Sequence, residues 1–150
     1  MEKLAILDCG GQYTKVIDRK VRELGVYSDI FPIGTDTKKL AGYGGIILSG
    51  GPQSVFDPDA PKYDANLFSL NIPILGICYG MQLIANHFGG RVAPHVKTEY
   101  GQLTVDIDVF CPLFAGLEEK QKVLMSHGDA VVNLPDSFGI AAKTSGDICA

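Results

Sequence analysis

Three runs of apolar residues, each ending in glycine, constrain the fold of this chain more than any other feature. They are "KLAILDCGG" from residue 3, "GGIILSGGP" from residue 44 and "PILGICYG" from residue 73. A continuous apolar run without alternation is typical of a strand that is buried on both faces, as in a parallel sheet. We therefore predict an α/β fold of flavodoxin-like type, with an open, mostly parallel sheet flanked by helices. Its active site is expected beyond the carboxyl ends of the strands.

Helical spacing follows the first and the third of these runs. After Gly10 and Gly11, apolar residues recur at helical intervals up to Leu24, and "YGMQLIANHF" has an apolar face that stops at the next glycine pair. The pattern changes beyond residue 91, where "QLTVDIDVF" alternates apolar and polar residues. Such alternation is typical of a half-exposed strand, so a smaller antiparallel portion is predicted after residue 91.

Composition excludes several classes of protein. The 150 residues fit one globular domain, and 46% hydrophobic residues argue against disorder. A net charge of −4 argues against a broad nucleic-acid footprint. No apolar run approaches the roughly 18 residues of a membrane span, and we expect a cytoplasmic protein. The four cysteines are widely spaced, which disfavours a disulfide framework or a metal site.

The turn "GICYG" places one cysteine, Cys78, between two glycines at a strand-to-helix junction. A sharp turn there can hold the side chain up at the sheet edge, and the helix N-terminus favours the thiolate, so a nucleophile is one interpretation. A buried thiol in a glycine-rich turn is the other, and local chemistry leaves both open. Cys9 is a weaker candidate, because no glycine precedes it and two turn residues follow it before the helix.

The glycine pair of "SGGP" follows the second apolar strand and can present backbone N–H groups at the same sheet edge. The N–H groups of Gly51 and Tyr79 would be a sensible pair of donors to an oxyanion forming over Cys78. A simple turn before Pro52 is the alternative. The first glycine turn, "DCGGQYT", contains neither "GxGxxG" nor a Walker "GK[ST]", which disfavours a dinucleotide fold.

Taken together, these segments resemble the class I (triad-type) glutamine amidotransferases. The resemblance runs from residue 4 to the end of the chain, and its motifs in order are "ILDCGGQYTKVIDRKVRELGVYSDIFP", "GIILSGGPQSVFDPDAP", "PILGICYGMQLIANHFGG", "TEYGQ" and "MSHGD". The pair "GICYG" and "SGGP" identifies the superfamily. The "GQY" opening, "EYG" and "SHGD" are most similar to the amidotransferase domains of GMP synthetases.

The resemblance implies a set of functional residues. Cys78 would attack the side-chain carboxamide of L-glutamine, form a γ-glutamyl thioester and release ammonia. The oxyanion hole would consist of the N–H groups of Gly51 and Tyr79. The residues implied to hold the glutamine are Gln82 and the "SHGD" segment, Ser126, His127, Gly128 and Asp129.

The resemblance also implies a partner, and the chain differs from the family pattern in one respect. The partner is an ATP-pyrophosphatase (synthetase) domain or subunit that uses ATP and Mg²⁺ to aminate XMP to GMP, whereas the glutaminase domain needs no cofactor or metal. The family's catalytic histidine and glutamate form an "HPE" motif beyond "SGDICA". We therefore expect residues 1–150 to be an amidotransferase domain truncated before that segment, with impaired activity. His87 in the helix, His95 in a loop and His127 are not expected to replace the base.

Three alternatives remain. The chain could serve a different synthase as another amidotransferase of the same class. It could be a noncatalytic glutamine-sensing or partner-docking module that keeps the pocket. A flavodoxin-like binder of FMN is the least favoured, because "CGGQYT" stands where a phosphate-binding loop rich in Ser and Thr is expected.

Overall fold

A computed structural model describes residues 2–144, without the side chains of residues 95–99. The chain divides into two compact units, one up to Ile84 and one from Ala85 onward. None of the described helices is long and apolar enough to cross a membrane. The strands are β1 Lys3–Asp8, β2 Tyr27–Pro32, β3 Gly45–Leu48, β4 Ile74–Gly76, β5 Arg91–Ile107, β6 Lys120–Asn133 and β7 Ala142–Thr144. The helices are α1 Thr14–Glu23 and α2 Tyr79–His87, with short 3₁₀ turns at Thr37–Lys39, Ala65–Ser69 and Pro112–Phe114.

The first unit contains a four-stranded parallel sheet in the order β2-β1-β3-β4. Its central strands are buried because their residues are apolar on both faces: Ala5, Ile6 and Leu7 of β1 are each 0% exposed, and so is Leu48 of β3. The predicted parallel sheet is confirmed. Because all four strands run in one direction, the three glycine turns that follow β1, β3 and β4 lie at one edge of the sheet.

Helix α1 is attached to β2 through a small polar cluster. Arg22 donates a hydrogen bond to the Ser28 carbonyl, and its Nε lies 3.1 Å from Asp18 Oδ1. Ser28, which is 0% exposed, donates from Oγ to the same Asp18 oxygen at 2.6 Å. This hydrogen bond lowers the pKa of Asp18 below its ordinary value. Ser28 is thus a buried serine whose hydroxyl is satisfied within the α1–β2 contact.

The second unit contains an antiparallel sheet in the order β6-β5-β7, which confirms the antiparallel portion predicted after residue 91. Strands β5 and β6 are much longer than the alternating stretch from which β5 was predicted. Only Val105 and Ile107 of that stretch are buried, whereas Tyr100 and Leu124 elsewhere in the ribbon are 67% and 76% exposed. In β6 exposed and half-buried positions alternate, but the apolar Leu124 is on the exposed side, so apolar and polar residues do not alternate in its sequence. The prediction that His95 lies in a loop was wrong, because it belongs to β5.

Candidate active site

Cys78 lies on the sharp turn between β4 and α2. Its φ is +51°, a left-handed value that residues other than glycine rarely adopt. The Cys78 carbonyl accepts a hydrogen bond from the Gln82 N–H at 3.1 Å, so the helix begins directly after the cysteine. A strained residue between a strand and a helix is the geometry of a nucleophile elbow.

The two glycines that flank Cys78 are required by close packing of the backbone. A β-carbon on Gly76 would lie 2.6 Å from the carbonyl carbon and oxygen of Gly80. A β-carbon on Gly80 would lie 2.5 Å from the carbonyl oxygen of Leu48, the last residue of β3. Both distances are far inside van der Waals contact. The spacing G-x-C-x-G therefore lets the strand, the turn and the helix approach closely enough to form the elbow.

The "SGGP" turn lies beside this elbow. A β-carbon on Gly50 would lie 3.5 Å from Cys78 Cβ, which places the first glycine of the pair next to the cysteine. Within residues 2–84, neither the Gly51 N–H nor the Tyr79 N–H donates a hydrogen bond to another residue. Two backbone donors without partners in their own unit are thus present in the turns that meet at Cys78. Tyr79 is the first residue of α2, where the helix itself supplies no acceptor.

The two cysteines at this edge differ in accessibility. Cys9 is 1% exposed, and burial raises the pKa of its thiol to about 11. Its Sγ lies 3.8 Å from the Leu7 carbonyl oxygen, to which it donates. Cys78, in contrast, is exposed. A buried, protonated thiol cannot reach a substrate, so Cys78 is the cysteine at this edge that can act as a nucleophile.

The pKa of Cys78 is raised above its ordinary value by desolvation. Although the side chain is exposed, the surrounding chain displaces enough water from the sulfur to disfavour its charged form. Desolvation thus opposes the effect of the helix N-terminus on the sulfur, and the expectation that this end of the helix favours the thiolate stays a prediction. Within residues 2–84 no side chain hydrogen-bonds to Cys78 Sγ. Attack at neutral pH therefore needs a base that takes the thiol proton.

We expect the rate of Cys78 alkylation by iodoacetamide to rise with pH through a midpoint above about 8.5, the ordinary pKa of cysteine. Only the thiolate reacts, and desolvation keeps the thiolate scarce at lower pH. The rate is measured without glutamine, and a Cys78→Ser variant gives the background of the other thiols. A midpoint below about 8 would show that the helix N-terminus or a cation outweighs desolvation.

The remaining residues implied by the family resemblance fall in both units. Gln82 is in the first turns of α2 and is 5% exposed. The "SHGD" segment, Ser126 to Asp129, lies in β6 of the second unit, where Ser126 pairs with Tyr100 of β5. His127 Nδ1 lies 3.0 Å from the carbonyl oxygen of Asp129. The role of Gln82 and of this segment in holding glutamine stays a prediction.

A buried polar cluster next to the "SGGP" turn was not predicted from the sequence. The Cys9 N–H donates to Ser49 Oγ at 2.9 Å, and Thr14 Oγ1 lies 3.2 Å from the same oxygen. Thr14 also donates to Asp8 Oδ1 at 2.8 Å. The available signal was that Asp8 and Ser49 are the first polar residues after their apolar runs, at the sheet edge where sites form.

Known proteins are similar to this chain in sequence and in fold. The family model "Glutamine amidotransferase class-I" matches residues 5–150. The GMP synthase [glutamine-hydrolyzing] of Campylobacter lari is 52% identical over 143 residues, which cover 94% of this chain and 28% of that protein. That of Solidesulfovibrio magneticus is 50% identical over 148 residues, covering 95% of this chain and 29% of that protein.

A crystal structure from Thermoplasma acidophilum is also similar along nearly the whole chain. That protein, described as a putative GMP synthase subunit, superimposes with a TM-score of 0.88 at 38% identity, covering 97% of this chain and 74% of its own. This chain spans less than a third of the length of the two GMP synthases. From the family match and the shared fold, the chain belongs to the class I glutamine amidotransferase family.

Proposed function

We propose that this chain is the glutamine-hydrolysing part of a GMP synthase. The observation that carries the proposal is the exposed Cys78 on a strained elbow, next to a turn with a backbone N–H that has no acceptor within residues 2–84. Relatives about half identical in sequence are named as glutamine-hydrolysing GMP synthases. Their names supply the substrate, L-glutamine, and the product of the complete enzyme.

The proposed reaction begins with attack of the Cys78 sulfur on the side-chain carbonyl carbon of glutamine. An S–C bond forms, the carbonyl π electrons move onto oxygen, and a tetrahedral intermediate results. Collapse of the intermediate breaks the C–N bond, and ammonia leaves after its nitrogen has gained a proton. Water then hydrolyses the γ-glutamyl thioester to glutamate and regenerates the thiol.

The N–H groups of Gly51 and Tyr79 are proposed to stabilise two oxyanions. One forms when Cys78 attacks glutamine, and the other forms when water attacks the thioester. Neither N–H group donates to another acceptor within residues 2–84, so neither must break a bond inside that range to receive the substrate oxygen. A preorganised donor of this kind contributes about 10²- to 10³-fold to kcat. Gln82 and Ser126, His127, Gly128 and Asp129 are proposed to bind the amino-acid end of glutamine.

The raised pKa of Cys78 makes proton transfer part of the mechanism. A thiol that is protonated at neutral pH must lose its proton to a base as the S–C bond forms, and the leaving nitrogen must gain one. We assign both transfers to the histidine of the family's "HPE" motif, oriented by its glutamate. The 150 residues contain no "HPE" sequence, and we expect them to hydrolyse glutamine slowly when they are isolated.

The ammonia is proposed to be used by a synthetase domain or subunit that adenylylates XMP with ATP and Mg²⁺ and aminates it to GMP. The length of the relatives supports this, since the matched region is 28% of the Campylobacter protein. ATP and Mg²⁺ would bind that part, so no residue of this chain is assigned to them. Because Cys78 must stay reduced to react, we expect the protein to function in the cytoplasm.

Mass spectrometry of the protein quenched in acid during glutamine turnover tests the proposal. We expect a covalent γ-glutamyl group on the peptide that contains Cys78, because the thioester is an intermediate of the reaction. The matched control is Cys111, another free cysteine, which should carry none. Binding of glutamine without acylation of Cys78 would instead indicate a sensing or docking module. Transfer of the released ammonia to an acceptor other than XMP would instead indicate a different synthase.

A further inference from the structure

Ser49 is a fully buried serine at the junction between β3 and the "SGGP" turn. It is 0% exposed, and its N–H donates to the Leu7 carbonyl at 3.0 Å. Its Oγ accepts the Cys9 N–H at 2.9 Å and lies 3.0 Å from the Gly50 carbonyl oxygen, to which it donates. One side chain therefore connects the first glycine turn to the peptide that precedes Gly51.

The donors and acceptors of this cluster favour a hydrogen bond from the Ser49 hydroxyl to the Gly50 carbonyl. A hydroxyl has one proton to donate and two lone pairs to accept with. The Thr14 proton has a carboxylate acceptor in Asp8 Oδ1 at 2.8 Å, the shorter and charge-assisted contact. The Ser49 proton is then directed to the Gly50 carbonyl at 3.0 Å rather than to Thr14 Oγ1 at 3.2 Å.

A peptide unit is planar, so fixing its carbonyl also fixes its N–H. The Gly50 carbonyl and the Gly51 N–H belong to the same trans peptide and point in opposite directions. We propose that Ser49 is a positioning residue for the oxyanion hole: by holding the Gly50 carbonyl, its hydroxyl keeps the Gly51 N–H turned out of the cluster and available to substrate oxygen. This inference rests on the proposed glutaminase function.

A second contact keeps the same carbonyl in place. A β-carbon on Gly11 would lie 2.3 Å from the Gly50 carbonyl oxygen, so that oxygen is packed against the Cα of Gly11. The carbonyl is thus enclosed by the first glycine turn on one side and by the Ser49 hydroxyl on another. Without the hydroxyl, the packing contact alone has to prevent rotation of the Gly50–Gly51 peptide.

Two probes of Cys78 separate donor orientation from thiol reactivity. An aldehyde analogue of glutamine adds the Cys78 thiol across its C=O bond, so that sulfur bonds to carbon, the proton moves to oxygen, and this oxygen occupies the oxyanion hole. Iodoacetamide alkylates the same sulfur at a saturated carbon, with loss of iodide and of the thiol proton, and this displacement puts no oxygen in the oxyanion hole. We expect Ser49→Ala to weaken aldehyde binding by about 10-fold or more and to change the alkylation rate by less than about twofold. For glutamine hydrolysis, kcat should fall while KM changes little.

Ser28→Ala is the matched control, because Ser28 is also 0% exposed. The substitution also removes a buried hydroxyl, but one that lies in the α1–β2 contact. It should leave aldehyde affinity unchanged. If Ser49→Ala does not fold, Ser49→Cys replaces it, since a thiol of similar size is a weak donor.

Three results would overturn the inference. One is aldehyde binding by the Ser49 variants as tight as that of the unchanged protein, and another is an equal loss in Ser28→Ala. Either result leaves the glutaminase proposal intact. Failure of the unchanged protein to bind the aldehyde at Cys78 would overturn the proposed function and this inference together.

Discussion

Replacement of Cys78 by alanine is expected to lower kcat for glutamine hydrolysis by about 10⁴-fold or more, as loss of a catalytic nucleophile does in other hydrolases. Within the described part of the chain, the other thiol at the sheet edge cannot substitute, because Cys9 is 1% exposed and protonated. Binding of glutamine should persist, since the residues proposed to bind it are unchanged. Ammonia release and isothermal titration with glutamine measure the two effects separately.

Cys111→Ser is the matched control for loss of a thiol. Cys111 is a free, partly exposed cysteine in the second unit, before the 3₁₀ turn Pro112–Phe114. Its replacement should leave kcat within about twofold, as surface substitutions away from a site usually do. A Cys78→Ala protein that keeps more than about one tenth of the activity is incompatible with the thioester mechanism.

Ammonium salt in place of glutamine tests the proposed connection to a synthetase. In the intact protein, Cys78→Ala should still convert XMP to GMP with ammonium and ATP, because the alanine removes only the source of ammonia. If the variant loses the ammonium-dependent reaction to the same extent, Cys78 supports the fold or the domain contact rather than glutamine hydrolysis.

The sequence was sufficient to predict the parallel sheet and the position of the elbow. Apolar runs such as residues 4–7 have no alternation, and burial on both faces in β1 is the reason. Gly76 and Gly80 are visible as a motif because backbone contacts exclude any β-carbon there. In both cases burial or close packing restricts which residue type can occupy a position, and such restrictions are visible in the sequence.

Other properties could not be predicted from the sequence. In β6 exposed and half-buried positions alternate, but the apolar Leu124 is on the exposed side, so the sequence of this strand does not alternate apolar and polar residues. The pKa of Cys78 depends on how much water the folded chain displaces, which no local motif encodes. The proposed role of Ser49 depends on its hydrogen bond to Gly50 and on a cluster that includes Cys9 and Thr14, which are 40 and 35 positions away in sequence.

Gly80→Ala tests whether the elbow has the steric origin derived above. The new β-carbon would lie 2.5 Å from the Leu48 carbonyl oxygen and 2.7 Å from Leu48 Cβ, both held by a buried strand. Alanine gains about 1 kcal/mol of helix propensity over glycine, but the clash with a fixed backbone is expected to cost more. We expect a net loss of about 3 kcal/mol in the free energy of unfolding, or a Tm lower by roughly 6–12 °C.

Gly42→Ala is the matched control, because a β-carbon at Gly42 would meet nothing within 4 Å. Its Tm should stay within about 2 °C of that of the unchanged protein. The Gly80 variant should also lose glutamine hydrolysis, since a displaced first turn of α2 moves the Tyr79 N–H away from Cys78. Thermal unfolding followed by circular dichroism, together with ammonia release, measures both effects. A Gly80→Ala protein as stable and active as Gly42→Ala would mean that the G-x-C-x-G spacing serves chemistry alone and not the packing of β3 against α2.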